Sequence, residues 1–445
     1  MMDIKRISVF GLGKLGATTA ACLASKGYDV IGVDVNQEFV EKINQGHSPI
    51  YEPGVEQLIN ENKDRIKATT DSKEAIQKSD ASIIIVPTPS IEDGSFSTKY
   101  VEVVAAEVGS ILREKDDYHL VVVTSTVLPG DMAEVIHPLL EKTSGKKCGK
   151  DFGLCYNPDF IALGSIIHNL LNPDMILIGE SDKKAGEILE EIHKSIIENK
   201  PRIFRMNFYN AELTKIALNS YCTRKITFAN TLAEICENMP GGNVDVVTGA
   251  LGADSRIGGK YMKGGLSYGG PCFPRDNRAL VISVRKFGVD AKIAQMVDEV
   301  NDYHRDERVP KKILGLLEEK RGKKLAVLGL AYKKDTPVIE ESAAISIIKA
   351  LLDEDIRINL YDPAGMDEAK LELGEHTNLY YAKNIEECLK DASLCFIATP
   401  WDEFKKIKPE TFKKNMKTPL ILDAWGLYDL STEEGVDYRE IGKNK

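Results

Sequence analysis

The sequence predicts an α/β protein: two Rossmann-like doubly wound domains joined by a helical middle domain that contains one long helix. Three observations lead there. Short β-branched runs alternate with helical patterns up to about residue 200, the rhythm gives way to a long helical stretch at about 207–237, and it resumes at Lys324.

Taken in order, the runs at 7–10, 30–33, 83–86, 120–124 and 175–178 are almost continuously apolar, as strands buried on both faces of a parallel sheet must be. The stretch 207–237 places Leu213, Ile216, Ala217, Ser220 and Ile226 at helical spacing and stops at Pro240-Gly241-Gly242. A Gly-rich loop at 258–274 follows, then further helix through Tyr303 and His304 to about Lys320. Strands at 325–328, 356–361, 394–398 and 420–422 continue the α/β rhythm. The order strand, glycine, helix, strand, aspartate occurs at 7–34 and again at 325–362, the second time without the three glycines.

A chain of 445 residues exceeds one ordinary core, which predicts two or three domains. Its eight cysteines are scattered with no CxxC pair, the pattern of reduced thiols rather than a disulfide framework or zinc site, and no metal is expected. A formal charge of −10 without a clustered basic face argues against a nucleic-acid partner. No apolar run is long enough to span a bilayer and no leader pattern opens the chain, so a cytoplasmic protein without a membrane partner is expected.

The first strand enters Gly11-Leu12-Gly13-Lys14-Leu15-Gly16 and an Ala-rich helix, and the second strand ends at Asp34. Gly11 permits the tight turn, Gly13 lets backbone N–H groups approach a pyrophosphate, Gly16 allows close packing, and Asp34 accepts from a ribose 2′-OH while repelling a 2′-phosphate. The expected cofactor is therefore NAD. Cys272 lies in Ser267-Tyr268-Gly269-Gly270-Pro271-Cys272-Phe273-Pro274-Arg275-Asp276, a loop able to present a sulfur to a substrate, with Arg275 and Asp276 at hand to influence its ionisation; an inert cysteine is the plain alternative. Lys215 and Asn219, four apart on one helix face, could converge on one substrate oxygen or be a solvated lysine and a core-edge amide. Asp159 in Asn157-Pro158-Asp159 is a functional acid or a turn residue.

Together with Tyr51-Glu52-Pro53-Gly54, Val86-Pro87-Thr88-Pro89, Ser125-Thr126, Asn210-Ala211-Glu212-Leu213-Thr214-Lys215 and Tyr332-Lys333-Lys334-Asp335-Thr336, these segments resemble the UDP-glucose/GDP-mannose dehydrogenase family along nearly the whole chain. The resemblance implies an NAD-binding domain at 1–200, a helical middle and dimerisation domain at 201–310, and a nucleotide-sugar-binding domain at 311–445. It implies NAD contacts from Gly11, Leu12, Gly13, Lys14, Leu15, Gly16, Asp34, Pro87, Thr88, Ser125, Thr126 and Arg275. It casts Cys272 as nucleophile, Lys215 and Asn219 as oxyanion donors, Asp276 and Thr126 as placing the hydrolytic water, and Asp159 as an acid/base or water-positioning group where the family usually has Glu. Substrate contacts would come from Asp159, Lys215, Asn219, Tyr261, Tyr268, Gly269, Tyr332 and Lys333, and from Arg256 reaching into the neighbouring subunit of a homodimer. The implied reaction is a four-electron oxidation of a nucleotide-sugar alcohol to an acid through a thiohemiacetal and thioester.

The sequence departs from the family at three places. Asp159 is followed by Leu163 where many members have a second acid, Glu340 replaces an arginine in Val338-Ile339-Glu340-Glu341-Ser342, and Trp425 does so in Asp423-Ala424-Trp425. These changes loosen the assignment of UDP-glucose, leaving UDP-N-acetylhexosamines and GDP-mannose open. Two rivals remain: a two-electron β-hydroxyacid dehydrogenase and a catalytically silent NAD-binding protein.

Overall fold

A computed structural model describes residues 4–430 and 432–444. The chain divides into two compact units: one holds the chain up to Ala217 together with Ile282–Gly288, the other Leu218–Val281 and the chain from Val289 onward.

The first unit is built on eight strands: β1 (Arg6–Phe10), β2 (Asp29–Val33), β3 (Ile66–Thr69), β4 (Ala81–Ile84), β5 (His119–Val123), β6 (Phe152–Tyr156), β7 (Met175–Glu180) and β8 (Arg202–Met206), in the order β3-β2-β1-β4-β5-β6-β7-β8. Alternate residues serve opposite cores: Leu120 and Val122 of β5 pack with Ile7 and Val9 on one face, Val121 and Val123 with Phe10 and Ile84 on the other. Burial on both faces is what makes these strands continuously apolar.

One expected parallel strand corrects the sequence reading. β7 runs antiparallel to β6 while pairing in parallel with β8. An antiparallel neighbour is joined at the same edge it leaves from, so the connection that begins at Asn157-Pro158-Asp159 stays at the carboxyl end of β6. The strand expected at 83–86 stops at Ile84, and β3, β6, β8 and two strands of the second sheet were not anticipated.

The second unit repeats the doubly wound order with β9 (Lys324–Leu328), β10 (Arg357–Tyr361), β11 (Leu379–Tyr381), β12 (Leu394–Ile397), β13 (Leu420–Asp423) and β14 (Asp437–Glu440), arranged β11-β10-β9-β12-β13-β14 and parallel throughout. The aspartate expected from the internal repeat has a structural task. Asp362, just past β10, accepts from Leu330 N (2.7 Å) and Ala331 N (3.0 Å) through one oxygen and from Ala364 N and Gly365 N through the other. Asp423, ending β13, accepts from Trp425 N and Leu427 N, and the Trp425 indole donates to Ala398 O at 2.8 Å. Where an arginine was expected, a packed aromatic therefore anchors the loop.

The long helix runs Phe208–Asn238, and the boundary between units falls inside it. Its apolar pattern is two-sided. Ile216 and Ala229 are fully buried, but Leu213, expected on the inward stripe, is 42% exposed, and Tyr221, Phe228 and Ile235 form an exposed row at seven-residue spacing. No described helix is long and apolar enough to cross a membrane, and all eight cysteines stand outside disulfides.

Glu212, fully buried on this helix, accepts from Gly130 N and Met132 N, each at 2.8 Å, and so ties down the loop after β5. Burial pushes its carboxyl up to about 7 against the two N–H bonds. Because the folded value lies above the ordinary 4.5, the stability this group contributes is fully present at low pH and declines as pH rises through about 7. Glu212→Gln removes the titration, so the advantage of wild type over the variant in urea unfolding is expected to shrink by roughly 2 kcal/mol between about pH 5 and about pH 8. A pH-independent difference would refute this account.

Candidate active site

The first unit carries a dinucleotide cradle. Gly11 has φ +93°, and a Cβ there would lie 2.2 Å from Ile85 O; one on Gly16 would lie 1.8 Å from Gly11 O. At Gly13 the opposite holds: an added Cβ meets nothing within 4 Å, and no side chain caps the helix Lys14–Ser25 that starts there. Its first N–H groups thus have room for a phosphate at the positive end of the peptide dipoles. Leu12 is buried, its side chain against Gly32, while Lys14 and Leu15 are half-buried. Asp34 follows β2 with one oxygen held by Leu12 N (2.6 Å) and the other by Asn36 N (2.8 Å). These residues fit NAD: a pyrophosphate nest and a fixed acid for a ribose diol.

Pro87 and Thr88 follow β4, the first exposed and the second buried. Buried Ser125 sits after β5; its hydroxyl accepts from Val86 N (2.9 Å) and donates to Val86 O (2.7 Å), which staples the two loops and places half-buried Thr126.

Beyond β6, Asp159 is half-buried and its carbonyl accepts from Lys215 Nζ at 2.7 Å, with that ammonium 4.9 Å from the Phe160 ring centre. Burial pushes the Asp159 carboxyl up to about 6, opposed by the Lys215 charge. The loop is held from behind. Asn157 donates to Leu177 O (2.9 Å), and its side-chain oxygen lies 2.8 Å from His193 Nε2; burial lowers His193 to about 4, so the neutral ring donates there. Glu52, quoted above only as part of a motif, accepts from Gly164 N and Ile166 N, each at 3.0 Å, and caps the same loop. Sequence reasoning gave Glu52, His193 and Glu212 no role; the available signal for Glu52 and Glu212 was their place inside quoted motifs, and His193 had none.

In the second unit Cys272 is exposed, and it is not in the middle of a loop as expected. Its carbonyl accepts from Asp276 N (2.8 Å), so it caps the helix Phe273–Ser283, of which Phe273 and Pro274 are the first two residues. Asp276 is buried; Asn219 Nδ2 donates to its Oδ2 at 2.6 Å and Arg275 lies 3.3 Å from its Oδ1. Asn219, one turn beyond Lys215 on the long helix, is thus engaged with Asp276. Ahead of the cysteine, a Cβ on Gly269 would lie 2.0 Å from Glu341 O, and Gly270 has φ +81° and packs against Tyr332, so that a Cβ added there would lie 2.5 Å from the ring. Tyr268 is buried and its hydroxyl donates to Asp298 at 2.5 Å. Tyr261, at φ +65°, packs edge-on to Phe273, and Lys333 is half-buried beside Tyr332. Arg256 is exposed and paired with Asp254 of its own chain at 2.7 Å. The Glu340 side chain is exposed, its carbonyl accepting from Gly270 N.

A cradle of this construction, ending at a fixed Asp34, defines an NAD-dependent oxidoreductase of the doubly wound class. Domain patterns described as the NAD-binding, central and UDP-binding domains of one family match residues 5–197, 209–303 and 326–430. The UDP-glucose 6-dehydrogenase AglM of Haloferax volcanii is 36% identical over 441 residues, covering 98% of this chain and 99% of that protein. The solved UDP-glucose dehydrogenase of Pyrobaculum islandicum superposes with a TM-score of 0.86 at 32% identity, covering 99% of this chain and 98% of that one. A UDP-D-ManNAc dehydrogenase of Pyrococcus horikoshii gives 0.83 at 28%, covering 98% and 99%. The chain belongs to the UDP-glucose/GDP-mannose dehydrogenase family and is an NAD-dependent nucleotide-sugar dehydrogenase.

The two glycines separate folding from binding. Gly13→Ala should melt within about 2 °C of wild type, since its added methyl meets no atom, yet weaken NAD at least about tenfold; Gly16→Ala should lower both the melting temperature and NAD affinity. Thermal melts and NAD titration check the pair, and equal melting losses would contradict the geometry.

Proposed function

We propose that this enzyme oxidises the C6 alcohol of a nucleotide-linked hexose twice, to the uronic acid, through a thioester on Cys272, with UDP-glucose as the default substrate. The observation that carries the reading is the placement of Cys272: exposed, and at the first turn of an eleven-residue helix whose peptide dipoles favour negative charge on sulfur. Bound NAD supplies the chemistry of accepting a hydride at each oxidation.

The chain's own residues would act as follows. Asp159, its carboxyl raised to about 6, takes the hydroxyl proton near neutral pH. The Cys272 thiolate adds to the aldehyde carbon, forming a C–S bond and an oxyanion. Lys215 has three N–H donors, one of them on Asp159 O, and Asn219 keeps one amide N–H beyond the bond to Asp276, so both can hold that oxygen. Loss of the second hydride from the same carbon leaves a thioester. A water placed by Asp276 and Thr126 adds to it and gives up one proton to solvent, the C–S bond breaks to return the thiolate, and the acid formed loses its proton to solvent and departs as the carboxylate. Arg275 and the substrate contacts assigned to Tyr261, Tyr268, Gly269, Tyr332 and Lys333 belong to the same reading, as does the division into domains 1–200, 201–310 and 311–445. A cytoplasmic setting belongs to the same reading.

Counting reduced cofactor tests this. Two NADH per nucleotide sugar are expected across a panel of UDP- and GDP-sugars, and Cys272→Ser should abolish the second. One NADH from the wild type would favour the β-hydroxyacid type of reaction, and no turnover on any sugar would favour a silent protein.

We further propose a homodimer formed by a second copy of this chain on the long helix, with Arg256 contributed to the neighbour's sugar site. The exposed row Tyr221, Phe228 and Ile235 supports it, because each is more than half exposed and the seven-residue spacing suits a helix-to-helix seam. Phe228→Asp is expected to convert a dimer to a monomer in sedimentation; a wild-type monomer would refute it.

A further inference from the structure

We propose that Glu341 is a positioning residue for Cys272, holding the cysteine loop against the segment that follows β9; the idea rests on the thioester reading above. Glu341 has φ +52°, an uncommon backbone state for a residue with a side chain. That state is held from several directions. Its carbonyl oxygen abuts Gly269 so closely that a Cβ there would lie 2.0 Å away, and Gly270 N donates to the preceding carbonyl, that of Glu340, at 3.1 Å. The next residue, Ser342, is anchored by its hydroxyl to Leu330 O at 2.6 Å.

The carboxylate closes the arrangement. Arg278, on the helix that Cys272 caps, donates to Glu341 at 2.8 Å and lies 3.4 Å from Asp298, and Asp298 accepts from the Tyr268 hydroxyl at 2.5 Å. Arg305 faces the other Glu341 oxygen at 3.6 Å while pairing with Asp302 and Asp306. Tyr268 before the cysteine and Arg278 after it are therefore bound into one ring through Asp298 and Glu341. Cys272 therefore lies between two residues that this ring fixes. Since the first oxidation does not use sulfur and the second does, slack in this ring should spare the first and slow the second.

In Glu341→Gln we expect kcat for the full reaction to fall about tenfold or more with KM within about threefold, NADH per sugar to drop from two toward one, and aldehyde to become trappable with a hydrazine. Glu341→Asp should recover part of the second oxidation. Should Glu341→Gln fail to fold, Arg278→Lys, which removes the fork facing Glu341 and Asp298, must show the same selective loss. Cys272→Ser is run alongside. If it loses the second NADH while the folded Glu341 or Arg278 variant keeps wild-type kcat and yield, the positioning role is overturned and the thioester stands. If Cys272→Ser itself still gives two NADH, both are overturned.

Discussion

Loops that leave the ends of parallel strands must satisfy their backbone N–H groups without a neighbouring strand to do it, and in this chain buried or half-buried carboxylates meet that demand. Asp34 takes Leu12 N, Asp362 takes Leu330 N and Ala331 N, Asp423 takes the turn after β13, Glu52 takes Gly164 N and Ile166 N, and Glu212 takes Gly130 N and Met132 N. Except for the turn after β13, each of these loops bears or adjoins a residue that the proposed reading assigns to cofactor or substrate. Two N–H bonds to one carboxyl hold each loop in a defined conformation that its own residues would not impose.

The same device explains why the two sheets look alike while differing in chemistry. In the first, Gly11, Gly13 and Gly16 bring backbone close to an open space and Asp34 stands at its edge. In the second, Asp362 is enclosed by four backbone donors and the Trp401 indole, which leaves it no capacity for a ribose diol. One motif serves a ligand; its repeat serves the fold.

Much of this was legible in the residues. Strands buried on both faces must be apolar throughout, so β1, β2, β5, β9 and β12 announced themselves, and the glycine spacing carried the cradle. Edge strands such as β14, reading Asp-Tyr-Arg-Glu, have no such pattern, and the reversal at β7 depends on its neighbour, not on its own composition. The site divides the same way. Cys272, Lys215 and Asn219 stood out by residue type and spacing. The bonds that hold Asn219 and the neighbouring loops join positions far apart in sequence, 57 residues for Asn219 and Asp276, 63 for Arg278 and Glu341, and 112 for Glu52 and Gly164, and no local pattern encodes such pairings. Leu213 shows the converse error: helical spacing identified the helix but could not say which of two apolar faces would lie inward.

The first unit is discontinuous. After its main portion ends at Ala217 it takes back Ile282–Gly288, where Lys286 lies 3.4 Å from Glu134 and Phe287 packs edge-on to Tyr209 with ring centres 6.3 Å apart. On the ribosome, a nascent chain that has already emerged through β8 still lacks a piece of its own first unit. That unit can be finished only once translation has passed Gly288, when the Cys272 loop has also been made, so vectorial synthesis ties the completion of the NAD-binding unit to the appearance of Cys272.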